Sequence, residues 1–229
     1  MTTEMFAVIG TINGMIPSSA SLHALFMIPS SDHDEVGMVI SDGKRWGQTK
    51  KNDPYVNLPR EKPHVTKPIM TLCCVREGIE RSDEDLIHPL SSGGGVFWAC
   101  SDSDPENHLD VTELLIKLSG TRSLSKSQTI KDQLLQKSLG QIWFVASKRK
   151  LMVLVGLESK HGVMMFRKDG GCMITTNSGC FSTLVNKSPQ DSRRIEPGDL
   201  VLADSQSATI WKSEEREPRT FPFRRSRKK

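Results

Sequence analysis

The sequence predicts an α+β fold that consists of antiparallel strands, with the helices together in the middle of the chain. Two observations support this prediction. Residues 107–118 and 129–139 of the 229-residue chain carry apolar side chains at helical spacing. Short β-rich runs precede this pair of segments, and closely spaced hairpin patterns follow it. Helices that are separated in sequence from antiparallel hairpins are typical of α+β domains.

Residues 1–68 are predicted to form a β-rich segment followed by a proline-rich linker. Three short apolar runs stand here at residues 6–12, 22–28 and 36–40. An Asn-Gly and an Asp-Gly dipeptide follow the first and third runs, so we expect a small meander. Residues 44–68 are polar and contain four prolines. Because proline removes a backbone donor and breaks helices, we expect a linker or an extended arm there.

Residues 69–212 are more regularly patterned and are predicted to form the main domain. The β-rich runs are 69–75 and 96–100 before the helical segments, then 142–146, 151–155, 162–167, 172–175 and 200–203 after them. Turn-forming residues separate the later runs, which favours consecutive antiparallel hairpins. Residues 213–229 are predicted to form a basic, disordered tail.

The net charge of +4 is unevenly distributed along the chain. Residues 212–229 contain eight basic and three acidic side chains, a net charge of +5, which leaves −1 for the other 211 residues. Five of the last six residues are basic, namely Arg224, Arg225, Arg227, Lys228 and Lys229. Such runs act as nuclear-import signals or bind nucleic-acid phosphates. A disordered solubilising tail is the alternative.

Composition argues against several classes of protein. No apolar run approaches the ~20 residues that a transmembrane helix needs, and the first residues do not resemble a signal peptide. The five cysteines are odd in number and include no Cys-x-x-Cys pair, which argues against a disulfide framework or a zinc ribbon. We therefore expect a cytoplasmic or nuclear protein that does not engage membranes.

Four stretches, in this order, resemble the PPM-type (type 2C) metal-dependent Ser/Thr phosphatases over about residues 70–212. They are Arg81-Ser-Asp-Glu-Asp85, Val96-Phe-Trp-Ala-Cys-Ser-Asp-Ser-Asp-Pro-Glu106, the hairpin pattern from Leu151 to Gly170, and Ile195-Glu-Pro-Gly-Asp-Leu-Val-Leu-Ala-Asp-Ser205. The resemblance implies a truncated phosphatase-like sandwich. It also implies vestigial metal ligands at Asp85, Asp102 and Asp204, for Mg²⁺ or Mn²⁺ if the protein is active.

The sequence departs from the phosphatase pattern in each stretch. The bridging aspartate aligns with Ser101 unless the alignment slips to Asp102, and nothing after Trp211 matches the family's final Asp-Asn motif. The resemblance therefore implies a pseudophosphatase without a cofactor, which regulates or binds a protein partner such as a phosphoprotein or a kinase complex. Two alternatives stay open: a divergent metal-dependent phosphatase, and a nuclear or nucleic-acid-associated protein that acts through its tail.

Overall fold

The computed structural model describes residues 6–12, 35–44, 46–51, 69–76, 89–92, 97–102, 108–121, 124–138, 140–159, 162–168, 171–176, 192–215 and 217–223. Within these ranges, fourteen strands form two antiparallel sheets. The first seven strands are β1 (Phe6–Ile12), β2 (Glu35–Ser41), β3 (Trp46–Lys51), β4 (Met70–Arg76), β5 (Leu90–Ser92), β6 (Phe97–Ser101) and β7 (Ile142–Ser147). The others are β8 (Leu151–Val155), β9 (Val163–Lys168), β10 (Gly171–Thr175), β11 (Ser192–Ile195), β12 (Leu200–Ala203), β13 (Ser207–Trp211) and β14 (Arg219–Pro222).

Each sheet of the described fold contains seven strands. Sheet A has the order β11-β9-β10-β1-β4-β2-β3, and sheet B has the order β14-β13-β12-β8-β7-β6-β5. All strand pairs are antiparallel. Helices α1 (His108–Gly120) and α2 (Leu124–Lys137) separate β6 from β7 in the chain. No helix in the described part of the chain is long and apolar enough to cross a membrane.

One hydrophobic core joins the two sheets. Alternate side chains of β1 and β4, such as Val8 and Leu72, are buried in the same cluster as Phe144 and Val153 of sheet B. The sheets approach closely near Gly10, where an added Cβ would lie 2.6 Å from a methyl carbon of Leu151. A larger residue there would force the Leu151 side chain of the facing sheet to shift.

A second core lies between sheet B and the two helices. Leu115 of α1 and Leu134 of α2 pack in one cluster with Trp143 and Val145 of β7. Because β7 and β8 bury both faces, their sequences are continuously apolar instead of alternating. The helices bury the stripes that their spacing predicted.

Aromatic side chains close both lateral edges of the sandwich. At one edge, Trp46 of β3 lies edge-on to Trp98 of β6, with 6.1 Å between ring centroids. At the other edge, Phe221 of β14 packs against the core between the sheets. The antiparallel sandwich with two helices between its strands is thus confirmed as the fold class.

The structure differs from the sequence-based segmentation at both ends of the chain. Strands β1, β2 and β3 join β4 in sheet A, so this sheet crosses the predicted boundary between residues 68 and 69. Part of the predicted linker is β3, whose backbone pairs with that of β2 although its residues after Trp46 are glycine or polar. Within the predicted tail, residues 219–222 form β14, which pairs with β13. The run at residues 22–28 lies outside the described residues.

Candidate functional site

Asp102 stabilises the start of β7. It directly follows β6 and is half-buried. Its Oδ1 accepts a hydrogen bond of 2.7 Å from the backbone N–H of Ile142. A carboxylate that accepts a backbone N–H in this way satisfies a donor at the end of a strand. Its observed role is therefore structural.

Asp204 shapes the turn between β12 and β13. Its Oδ1 accepts hydrogen bonds from the backbone N–H groups of Gln206, at 2.7 Å, and Ser207, at 2.9 Å. Aspartate side chains form such bonds to the backbone two or three residues ahead and so stabilise tight turns. The Asp-Ser of this turn thus has a local structural explanation.

The strand register places Asp102 and Asp204 at opposite ends of sheet B. Ser101 pairs with Trp143, near the beginning of β7. Ala203 pairs with Leu151, which pairs with Ala146 near the end of β7. At roughly 3.3 Å per residue, the ends of this six-residue strand lie roughly 16 Å apart, far beyond metal–ligand distances. These two carboxylates do not share a metal ion.

The other predicted site residues cannot be placed. Asp85 and the five basic tail residues Arg224, Arg225, Arg227, Lys228 and Lys229 lie outside the described residues. Within the described ranges, no group of three or more His, Cys, Asp or Glu side chains is arranged to hold a metal ion. The expectation of vestigial ligands without a cofactor, or with Mg²⁺ or Mn²⁺ in an active protein, is not tested at Asp85.

A buried lysine–aspartate cluster, formed by Lys131, Asp199 and Lys212, joins α2 to sheet B. Lys131 and Asp199 are only 1% and 2% exposed. The Lys131 ammonium donates a hydrogen bond to the backbone carbonyl of Lys212. The Lys212 Nζ lies 4.0 Å from Asp199 Oδ2. Two cationic side chains therefore flank one buried carboxyl group.

The backbone also holds Asp199 in place. Its carboxylate accepts hydrogen bonds from the N–H of Glu196, at 3.2 Å, and the N–H of Ser213, at 3.3 Å. Gly198 precedes it with a φ of +84°, a conformation that glycine adopts without a steric penalty. The turn before β12 and the chain after β13 are thus tied to one side chain.

Burial shifts both ionisation equilibria of the cluster. The pKa of Asp199 is raised by burial, although its backbone hydrogen bonds and the two lysines partly oppose this shift. The pKa of Lys131 is lowered by burial, against the attraction of Asp199 and Asp132. Desolvation disfavours the charged form in both groups. Because both side chains are sealed from solvent, we assign Lys131 and Asp199 a structural role.

The sequence also contains a signal for this cluster. Lys131 precedes Leu134 and Leu135 by three and four residues, so it falls on the apolar face of the second helical segment. A lysine on such a face needs a buried partner. Its partners are the carbonyl of Lys212 and the nearby Asp199. These contacts join distant parts of the chain, so no local sequence pattern reveals them.

The cysteines of the described residues are unsuited to nucleophilic chemistry. Cys73, Cys74, Cys100 and Cys172 are all buried. Burial strongly raises the pKa of the Cys172 thiol, which disfavours the reactive thiolate. Apolar packing explains these residues.

Comparison with protein-family models finds no match, and comparison with curated protein sequences finds none either. The fold resembles two solved structures. One is the glutamine phosphoribosylpyrophosphate (PRPP) amidotransferase from B. subtilis complexed with ADP and GMP, with a TM-score of 0.59 and 12% identity. The other is described as the allosteric regulatory enzyme of purine biosynthesis, with a TM-score of 0.58 and 13% identity. The alignments cover 95% of this chain and 49% of each enzyme, so the chain spans about half their length.

The sandwich of two antiparallel sheets with two helices in the described residues therefore resembles part of the fold of these two enzymes. The phosphatase resemblance is wrong. So are the regulatory pseudophosphatase and its divergent-phosphatase alternative, which rested on that resemblance. The expected lack of enzymatic activity was drawn from the same resemblance and loses its basis with it. The error has a physical origin, because two antiparallel sheets with helices between runs of strands are a general layer architecture. Short acidic motifs were then assigned to a site that Asp102 and Asp204 do not form.

Proposed function

We propose that this chain is a glutamine amidotransferase-like domain that binds glutamine and releases the nitrogen of its side-chain amide. The supporting observation is the fold likeness, which extends over 95% of this chain and is shared with an enzyme described as a glutamine PRPP amidotransferase. Function lies in a site and not in a fold, so the proposal needs a place for the reacting groups.

One end of the central strands of sheet A suits such a site. Strands β1 and β10 are antiparallel neighbours, with Ile9 opposite Thr175. The beginning of β1 and the end of β10 therefore lie at the same end of the sheet. The N–H of Val8 donates to Thr176 Oγ1 at 3.0 Å, and the N–H of Thr176 donates to the carbonyl of Val8 at 3.1 Å, which fastens the two strands there.

The sequence next to this end contains nucleophile types. Amide hydrolysis through a covalent intermediate needs a hydroxyl or thiol nucleophile, a base and donors for the developing oxyanion. Residues 1–5 and 177–191 contain threonine and serine hydroxyls together with Cys180. Both segments adjoin this end through the chain, although they lie outside the described residues. We propose that the nucleophile comes from one of these segments, since the described thiols are buried.

An ammonia-release assay with glutamine tests this function, with asparagine as the shorter amide control. Labelling with 6-diazo-5-oxo-norleucine, an electrophilic glutamine analogue, followed by peptide mapping identifies the nucleophile. We expect ammonia from glutamine, protection from the label by glutamine, and a label within residues 1–5 or 177–191. Absence of both ammonia and glutamine-protected labelling would overturn the proposal. A label on a buried thiol such as Cys172 would overturn the proposed location.

A further inference from the structure

One end of sheet B is rich in acidic side chains. Three adjoining segments form this end, which we call the acidic end: residues 156–159 after β8, 196–199 before β12 and 212–215 after β13. They meet at Gly198, where an added Cβ would lie 2.8 Å from the Cβ of Ser213 and 2.9 Å from the Cδ2 of Leu157. The three segments contain five carboxyl side chains and one lysine.

Part of this negative charge lies unpaired on the surface. Glu215 binds Arg219 through both carboxylate oxygens, at 2.6 and 2.7 Å. Glu158 and Glu214 are exposed, and neither belongs to an ion pair among the described residues. Leu157, between the same segments, is 48% exposed, and it is the one exposed large apolar side chain in the described part of the chain. An apolar centre with a charged rim is typical of protein–protein contacts.

The opposite end of the sandwich is basic. Residues 41–44, after β2, and residues 147–150, between β7 and β8, form two turns there, which we call the basic end. The turns meet at Gly43, where an added Cβ would lie 3.3 Å from the Nε of Arg149. They contain four basic side chains and one carboxyl group. Strand β8 (Leu151–Val155) runs from the basic end to the acidic end.

The turn does not explain the cations at the tip of the hairpin of β7 and β8. The N–H of Ser147 donates to the carbonyl of Lys150 at 2.8 Å, so Lys148 and Arg149 form a two-residue loop. Glycine and asparagine are favoured in such loops. The Lys150 ammonium donates to the carbonyl of Ser119 at 2.8 Å. Lys148 and Arg149 take part in no ion pair within the described ranges, so their charge is available to a partner.

We propose that the basic end of one copy of this chain binds the acidic end of a second copy. The two surfaces have opposite charge, and stacking along the direction of β8 brings them face to face. Each also offers an apolar side chain among its charges. This is Leu157 at the acidic end, and at the basic end it is half-buried Ile69, whose Cδ1 lies 3.0 Å from an added Cβ on Gly43. Because two different surfaces meet, the contact is heterologous, and copies add head to tail.

Sedimentation velocity of the full chain, over a range of protein and salt concentrations, tests this contact. We expect species larger than the monomer that dissociate as salt rises, because salt screens exposed charges. Arg149→Glu and Glu214→Arg should each weaken self-association about tenfold or more, since each places like charges in the contact. Asp132→Arg, the control, reverses a charge in the exposed middle of α2 and should leave self-association unchanged. Thermal unfolding checks that each variant is folded.

A mixture of the two end variants gives the sharpest result. The Arg149→Glu chain keeps its acidic end and the Glu214→Arg chain keeps its basic end, so equal amounts should form a dimer that does not grow further. A monomeric mixture would overturn the proposal, and so would an Asp132→Arg variant that associates as weakly as the end variants. A parent chain that stays monomeric at low salt would also overturn it. If that monomer bound polyglutamate and lost this binding in Arg149→Glu, the partner would be a different acidic protein.

Discussion

At the scale of single residues, the buried lysine–aspartate cluster is the most consequential local feature. A buried ammonium and a buried carboxyl group lose their hydration, and they remain acceptable only because each is hydrogen-bonded. Lys131 and Asp199 meet this condition through the carbonyl of Lys212 and the N–H groups of Glu196 and Ser213. The cluster therefore couples helix α2 to two turns of sheet B.

Lys131→Ala should lower the free energy of unfolding by about 2 to 4 kcal/mol, because it leaves a buried carbonyl without its donor and creates a cavity. Lys131→Met should cost less, since it retains volume and removes a desolvated charge. Urea denaturation measures both values. Lys126→Ala, on the exposed side of the same helix, is the control and should stay within about 0.5 kcal/mol of the parent. Equal effects of the two alanine variants would contradict the stabilising role of the cluster.

The raised pKa of Asp199 predicts a specific pH dependence. Because the folded state holds this proton more tightly than the unfolded state, the stabilisation from Asp199 is complete below the unfolded pKa of 3.8. It is lost as the pH rises through the folded pKa. Asp199→Asn removes this titration, so the stability of the parent should fall relative to the variant as the pH rises above about 4. Urea midpoints across the acidic range measure this difference. A constant difference between the two proteins would show that the carboxyl group titrates normally.

At the scale of secondary-structure elements, glycine determines how closely α2 and the hairpin of β7 and β8 approach. A Cβ on Gly156 would lie 2.0 Å from the carbonyl oxygen of Ser138 and 2.7 Å from that of Gln141. The N–H of Gly156 also donates to the Gln141 carbonyl at 2.7 Å. The end of the helix and the end of β8 therefore meet backbone to backbone.

Gly156→Ala should destabilise the protein by about 3 kcal/mol or more, because the clash involves backbone atoms that cannot move without disturbing both elements. Gly120→Ala is the matched control. A Cβ at Gly120, the last residue of α1, meets nothing within 4 Å, so this variant should be neutral or more stable by up to about 1 kcal/mol. Thermal and urea unfolding measure both. A harmless Gly156→Ala would contradict the close approach.

At the scale of the whole molecule, the two sheets depend on each other. Side chains from both sheets form one core, and the pair Trp46 and Trp98 adds an aromatic contact at one edge. The sequence-based boundary at residue 68 would separate β1, β2 and β3 from the sheet that they complete. Separation of the two sheets would expose the apolar inner face of each.

We therefore expect one cooperative unfolding transition. Far-UV circular dichroism and tryptophan fluorescence should give the same urea midpoint, because a shared core does not let one sheet unfold alone. Leu151→Ala provides a probe at the centre of this core, where Leu151 contacts Gly10 across the sheets, and it should shift both signals together. Two separate transitions would indicate that residues 1–68 form an independent unit.

The sequence by itself determined the types of local structure in this protein. Apolar spacing in α1 and α2, and the continuous apolar runs of β7 and β8, predicted these elements because period and hydrophobicity are local properties. It also located the basic charge at the C-terminal end. The sequence did not reveal that β3 is an edge strand, because most of its residues lack a β-type apolar pattern and its hydrogen bonds come from pairing with β2.

Only the tertiary structure decided which residues meet. It separated Asp102 from Asp204, because register fixes the two at opposite ends of sheet B. It brought Lys131 to Asp199 and placed Arg167 and Arg193 over Phe221, although these residues are distant in the chain. A carboxylate in a short motif looks the same whether it binds a metal or holds a turn. The physical reason is that chemistry requires proximity of a few ångströms, which strand pairing and sheet packing set and local sequence does not.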